Sequence, residues 1–413
     1  MSVSGPLSPL IAAHAVSLLG NVVAAVAVPW FVLSTTGSPA RTGVIAFFAA
    51  LPVALGSAVV GGLTDRLGAR RMSVVADVLS AVSVAAVPLL YGLGQLSFWL
   101  LASIVFMGAV FDGPGQAARQ ALVPALAQRS GVSLERANSL FTATEHLSYI
   151  LGAPIAGALI VSLGAPAALW LDAGTFVVSA ALVVAAVPSV RAALPTARYV
   201  HDVVEGLRFA ARDHTVLTFL LLTTAGNLIM AALAPVLLPV YAREVAGGAG
   251  WLGLMIAGYG VGGLLGTVLF GVLSGRLSRR RFYVLALLGL PISAGLLVLL
   301  PPAPVAAGVL LALGVAPGVI VPLRNTVLQE RTPFRLRGRV FSLLQAAHMA
   351  VVPFGLLLTG LLVEALGLRV GLLVFAAGLA AFSTTAVLVR PTRRLEPLDV
   401  PGEADEPSEE EAA

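Results

Sequence analysis

Asp112, Gln116 and Arg119 stand at positions i, i+4 and i+7. That spacing sets a carboxylate, an amide and a guanidinium along one face of a helix, where the amide can bridge the two charges. Glu145 and His146 follow in the next apolar stretch. A half-buried carboxylate can hold or release a proton as a cation approaches or withdraws. Glu145 is therefore the first candidate for a proton switch, with a static ion pair to Arg136 or Arg119 as the competing reading. Asp112 carries the same two readings: proton or substrate contact against structural pairing. His14, His146 and His348 are scattered without any metal-ligand spacing, so they read as packing residues and no metal is expected. His348 lies three residues after Gln345 and shares its helix face. Asn21 and Asn227 are uncharged polar groups, each set in a long apolar run.

The elements that hold these residues follow from composition. Of 413 residues, 58% are hydrophobic and only 11% charged, with a mean hydropathy of +0.97. One water-surrounded core cannot absorb that much apolar surface, so the solvent must be lipid. Twelve windows are long enough to cross a bilayer as helices: 8–34, 42–63, 72–93, 97–121, 138–163, 167–188, 215–242, 251–274, 282–301, 303–325, 339–365 and 370–390. Their apolar runs do not alternate, which excludes a closed barrel. The first window has no basic residue ahead of it and outruns the apolar region of a signal peptide, so it is expected to be retained. With no cysteine, disulfides, thiolate metal sites and a cysteine nucleophile are excluded.

All 25 basic residues are arginine. With a cytoplasmic N-terminus only Arg41, Arg243 and Arg369 fall in outer segments, leaving 22 at the inner side. That bias orients both termini inward. It also accounts for the high isoelectric point without nucleic acid. Asp112 then lies about nine residues before the inner end of its span and Glu145 about seven into the next, a shared depth of roughly 10 to 14 Å at 1.5 Å per residue.

The long polar connection 189–214 divides the windows six and six, into an N-terminal half 1–188 and a C-terminal half 215–394, followed by an acidic tail at 395–413 with the composition of a disordered segment. The halves echo each other. Gly61-Gly62-Leu63-Thr64-Asp65-Arg66-Leu67-Gly68-Ala69-Arg70-Arg71 recurs 210 residues later as Gly271-Val272-Leu273-Ser274-Gly275-Arg276-Leu277-Ser278-Arg279-Arg280-Arg281, and Glu145 is answered by Gln345. Two six-helix repeats are the plan of a secondary transporter with its site near the midplane.

The Asp65 loop resembles the signature between the second and third helices of the major facilitator superfamily. Ala153-Pro154-Ile155-Ala156-Gly157 resembles the antiporter motif of that superfamily's drug exporters, with Ala153 where glycine is preferred. Asp77, the run Asp172-Ala173-Gly174-Thr175-Phe176, and Glu330-Arg331-Thr332-Pro333 with Arg337-Gly338-Arg339 are similar to the branch holding macrolide and siderophore exporters. The resemblance implies twelve helices in two pseudo-symmetric halves of an all-α membrane protein. It implies a gating loop of Gly61, Asp65, Arg66, Gly68, Arg70 and Arg71, in which Asp65 locks the cytoplasmic side. It implies cavity-lining helices that bring in Asn21, Asn227, Gln345 and His348, and a sliding contact between the fifth and eighth helices at Gly152, Pro154 and Gly157. The small-residue stripe Gly258, Gly262 and Gly266 of the eighth helix would serve that contact. Arg70 and Arg71 fit anionic lipid headgroups or serve as orientation signals.

The expected activity is proton-coupled efflux of lipophilic or weakly cationic small molecules by a monomer in the cytoplasmic (inner) membrane of a bacterium. Its partners would be substrate, protons and lipid, with no cofactor. Acidic substrates would want a central arginine, and none stands out among the windows. An uncoupled facilitator, a siderophore or lipid exporter, and a channel or scramblase are the alternatives. No hydrolase, metalloprotease or phosphate-loop motif supports an enzyme.

Overall fold

A computed structural model describes residues 5–59, 67–189, 199–273 and 278–389. The regular elements among the described residues are all helical. Six helices come first: α1 (Leu7–Thr36), α2 (Pro39–Val59), α3 (Ala69–Gly92), α4 (Phe98–Arg129), α5 (Leu134–Leu163) and α6 (Ala165–Ala186). The amphipathic part of the polar connection forms α7 (Tyr199–Ala210). After it come α8 (His214–Ala246), α9 (Ala249–Leu273), α10 (Arg279–Val298), α11 (Ala303–Arg331) and α12 (Phe334–Leu388). Ten of these are long and apolar enough to cross a membrane. α12 breaks at Gly367, whose φ of +82° is left-handed, so it supplies two rods where the sequence placed its last two windows. Pro39–Val59 supplies a further rod for the second window.

Local chemistry sets the ends. Side chains of Ser97, Ser133, Ser278 and Asp213 accept the first free amides of α4, α5, α10 and α8, and Gly37 closes α1 in the left-handed region. Charge alone ends no helix. For that reason α4 runs on to Arg129 and α11 to Arg331, well past the apolar windows 97–121 and 303–325. Arg119 and Arg324, which fall at the inner edge of their windows and count toward the inner side, thus sit well inside helices. In α8, Pro235 and Pro239 interrupt the regular ladder, and the backbone answers with π turns at Leu233–Leu237 and Ala242–Ala246.

α1 packs on α5 and α6, and α3 on α4 and α6; beyond α7, α9 packs on α11, and α10 on α11 and α12. The two sets meet chiefly where α2 lies on α12 and α5 on α9. A Cβ on Gly43 would stand 2.8 Å from the Leu356 carbonyl oxygen, and one on Gly253 2.4 Å from that of Ala153, so the backbones touch. At the same end Arg243 donates to the Leu33 carbonyl (2.8 Å), while Ser38 Oγ (2.8 Å) and the Ala40 amide (3.2 Å) donate to Glu364. The sets are therefore pinned together at the end opposite the connections that carry Arg70, Arg71, Arg129 and Arg136.

The glycine stripe of α9 has a different partner from the one expected. Gly262 and Gly266 would place a Cβ 2.0 and 2.2 Å from the Leu311 and Val315 carbonyl oxygens of α11, and Gly314 and Gly318 reciprocate toward Tyr259 and Gly263. The stripe serves packing within the second set, while Gly253 makes the contact with α5. Gly262→Leu should therefore cost roughly 1–3 kcal/mol of stability through overpacking. Gly260→Leu, with nothing within 4 Å of its Cβ position, should be tolerated. Thermal unfolding of the two purified variants, followed by size-exclusion recovery, measures the difference.

Candidate functional site

In the first helix set the polar groups gather between α1, α3, α4 and α6. Arg119 Nη1 donates to Asp77 Oδ1 at 2.7 Å, with both side chains no more than 2% exposed. Its Nη2 donates to Ser17 Oγ at 3.2 Å, and Ser179 Oγ donates to Asp77 Oδ2 at 2.7 Å. A charge pair held out of water needs such further hydrogen bonds on its remaining atoms. Two turns before Arg119, Asp112 accepts from Asn21 Nδ2 and from Gln116 Nε2, both at 3.0 Å. The i, i+4 bond between Gln116 and Asp112 is present as the spacing implied. The bridge to Arg119 is not formed, because Asp77 on α3 claims the guanidinium. Asp112 is left with two neutral amides as its hydrogen-bond partners, on the wall of a cavity of about 240 Å³ that Asn21, Ser80 and Phe176 also line.

Glu145 lies on α5 near the same group, with a side chain 45% exposed. It stands 3.8 Å from His14 Nε2, and neither Arg136 nor Arg119 pairs with it. His14 is itself buried and stacked on Phe141, with ring centroids 3.7 Å apart, and neither ring nitrogen has a hydrogen-bond partner. Tyr149 is near enough to feel the charges of both Glu145 and Asp112. The side chain of His146 lies outside the described residues. Asp172 is fully buried on α6, with Oδ2 unpartnered and Gly20 of α1 packed against it. His14 and Asp172 belong with this constellation, yet sequence reasoning left them out of it. The signal for Asp172 was its type, an acid within an apolar run; that for His14 was absent, since its neighbour Glu145 is 131 residues away.

The second set has a cavity of about 140 Å³, lined by Thr223, Asn227, Tyr259, Tyr283, Arg324 and Phe382 among others. Asn227 is placed as expected. Arg324 projects from α11 and donates to Thr223 Oγ1 (3.2 Å) and to Asn325 Oδ1 (2.9 and 3.2 Å). A central arginine exists after all, so the sequence argument against acidic substrates loses its premise. Gln345 is exposed on α12, and His348 is half-buried and within reach of the Arg324 charge.

Of the gating loop, Gly61, Asp65 and Arg66 lie outside the described residues. Gly68 precedes α3 at φ +77°, a conformation that suits glycine. Arg70 donates to the Val184 carbonyl at 2.7 Å, near the end of α6, where a cation meets the unsatisfied carbonyls and the negative pole of the helix. It is thus tied to protein, where a lipid headgroup was expected; Arg71 is exposed. Gly152 abuts Val22 of α1, and Gly157 lies against the backbone of Ala249 and Gly253, with Pro154 inside α5 between them. The expected approach of the fifth and eighth helices is therefore made through Gly157 and Gly253.

Residues 7–409 match the family described as transmembrane secretion effector. The multidrug efflux pump Tap of Mycolicibacterium fortuitum is 32% identical over 402 residues, which span 95% of this chain and 97% of that protein. Macrolide efflux protein A of Streptococcus pyogenes is 20% identical over 395 residues, or 93% and 96% of the two chains. Among solved structures the nucleoside transporter NupG superposes with a TM-score of 0.78 over 93% of this chain and 100% of that one. At 9% identity that likeness shows the fold alone. The chain belongs to the transmembrane secretion effector family of the major facilitator superfamily, and it is an efflux transporter, not an enzyme.

Proposed function

We propose that this transporter exports lipophilic small molecules, weakly cationic ones included, across the cytoplasmic (inner) membrane of a bacterium in exchange for protons. In this reading both termini and the arginine-rich end are cytoplasmic, and the halves 1–188 and 215–394 rock about the contacts of α5 with α9 and α2 with α12. The pinned end is then the outer one, and the structure corresponds to an inward-facing state. The names of the multidrug pump and the macrolide efflux protein support the class of cargo.

One observation carries the coupling assignment. Asp112 faces a cavity with only neutral amides on its oxygens, while the neighbouring guanidinium is committed to Asp77. A carboxylate in that position can exchange a proton with whatever water or cationic cargo the cavity admits, because no permanent counterion fixes its state. Glu145, nearly half exposed, and the buried His14 beside it form the route by which a proton reaches it. Asp77 and Arg119 hold the helices in register.

Asp112→Asn should reduce gradient-driven transport of lipophilic dyes in inverted vesicles at least tenfold, and Glu145→Gln should slow it less. Transport that survives both substitutions and does not respond to collapse of the gradient would overturn the coupling and leave a facilitator. Breaking the buried pair should act on folding. Asp77→Leu or Arg119→Leu alone should cost about 3–5 kcal/mol, since each strands a charge away from water, and the double variant should recover much of that. A double-mutant cycle on thermal stability reads the coupling between them.

A further inference from the structure

The repeat extends beyond the gating loops into the cavities. Arg324 follows Arg119 by 205 residues; Thr223, Asn227 and Phe382 each follow Ser17, Asn21 and Phe176 by 206. The structure gives these pairs the same work. Arg119 donates to Ser17 Oγ, and Arg324 to Thr223 Oγ1. Asn21 and Asn227 line the two cavities, as do Phe176 and Phe382. The acids, however, are not repeated. The 210-residue offset of the loops carries Asp77 to Leu287, which is fully buried. The offset of the arginines carries Asp112 to Pro317, on the wall of the second cavity, and that of the phenylalanines carries Asp172 to Gly378, the neighbour of the lining residue Leu379. The C-terminal half thus keeps the guanidinium, the hydroxyl and the amide of its N-terminal counterpart and has leucine, proline and glycine at the positions that match the three carboxylates. Among the described residues no acid pairs with Arg324.

An arginine within a membrane-spanning helix is costly without a partner. Its planar fork also presents two parallel donors that match a carboxylate or phosphate. Thr223 occupies one nitrogen at 3.2 Å, and the Asn325 amide oxygen takes the others. Both are neutral acceptors that a charged one can displace. Tyr259 and Tyr283 add hydroxyl groups to the cavity wall, and Phe382, Leu379 and Leu290 supply apolar surface. We propose that this cavity is a binding subsite for an anionic group of the cargo, a carboxylate or its equivalent on an apolar body, and that the cargo itself provides the counterion Arg324 lacks. A volume of about 140 Å³ takes the acid and the carbons beside it, leaving the remainder of the molecule toward the space between the two helix sets. The inference rests on the efflux reading only for what the bound acid is used for; binding itself needs no gradient and no transport.

The test is fluorescence titration of the purified full-length protein in chloride-free buffer with two probes, dansyl-phenylalanine and its methyl ester, which differ in the single negative charge. Wild type should bind the acid at least tenfold more tightly than the ester. Arg324→Gln should abolish that preference while leaving the ester's affinity within twofold, and Arg324→Lys should retain part of it. Leu287→Asp restores the carboxylate the C-terminal half has lost, so it should also abolish the preference with Arg324 still in place, which keeps the test decisive where Arg324→Gln fails to fold. Equal binding of acid and ester by wild type, or an acid preference that survives both Arg324→Gln and Leu287→Asp, would overturn the proposal. So would inorganic phosphate that stabilises the protein against heat as strongly as the dansyl acid does, because the site would then hold a free anion and not cargo. Dye efflux that does not respond to collapse of the gradient, with the acid preference intact, would refute the coupling and leave this subsite standing.

Discussion

The buried pair of Arg119 and Asp77 is the interaction on which the first helix set depends. A guanidinium in the middle of an apolar bundle has no water to fall back on, so every donor must be met by protein. Asp77 from α3 meets one nitrogen and Ser17 from α1 another, while Ser179 from α6 satisfies the far oxygen of the carboxylate. Four helices are thereby fixed relative to one another through a single cation. Replacing such a pair by apolar side chains often leaves a protein as stable as before; the second helix set does without the pair in another way, burying Leu287 where Asp77 would recur and giving Arg324 the neutral acceptors Thr223 and Asn325. The pair therefore contributes placement more than stability. It removes Arg119 from the reach of Asp112 and so leaves that acid to the cavity.

The same constraint explains the asymmetry between the two cavities. Duplicated helices begin with equivalent polar groups, and each half must then neutralise its charges internally or leave them to be met from outside. The first cavity keeps three acids against one arginine nearby, and the second keeps an arginine with no acid among the described residues. In the proposed cycle these are complementary tasks, proton exchange on one side and recognition of cargo charge on the other. They can evolve separately because they sit on different helix sets. Side chains join the sets at one end, Arg243 on the Leu33 carbonyl and Ser38 on Glu364, and elsewhere backbones meet directly at Gly43 with Gly360 and Gly157 with Gly253.

Much of the fold was legible from the sequence because the bilayer imposes a length on each apolar run and arginine marks one side of it. The helix ends were not, since helices stop at caps and glycines and not at charges; α4 and α11 continue for several residues past their apolar windows. That error had a consequence. It set Arg119 and Arg324 at the inner edge of their windows, and so hid the arginine that an acidic cargo would require. Within one helix the sequence was informative: Gln116 does reach Asp112 across i, i+4. Between helices it was not. Nothing in the spacing of Asp77 and Arg119, 42 residues apart, or of His14 and Glu145 distinguishes partners from strangers, because such pairs are decided by which faces the packing turns together.

The glycine stripe of α9 illustrates the same limit from the packing side. Small residues at Gly258, Gly262 and Gly266 demand a close neighbour, and the periodicity states that demand without naming who meets it. The answer lies in the complementary helix. α11 offers Gly314 and Gly318 at matching positions, so that each glycine of one helix faces a carbonyl of the other at distances a methyl group could not share. At its contact with α9, α5 places one glycine, Gly157, against the Ala249 carbonyl, and α9 returns Gly253 against that of Ala153. The contact with α11 is the longer seam, with two glycines on each side. In the proposed cycle α9 therefore moves with α11 and turns against α5, so that the two helix sets move as bodies without coming apart.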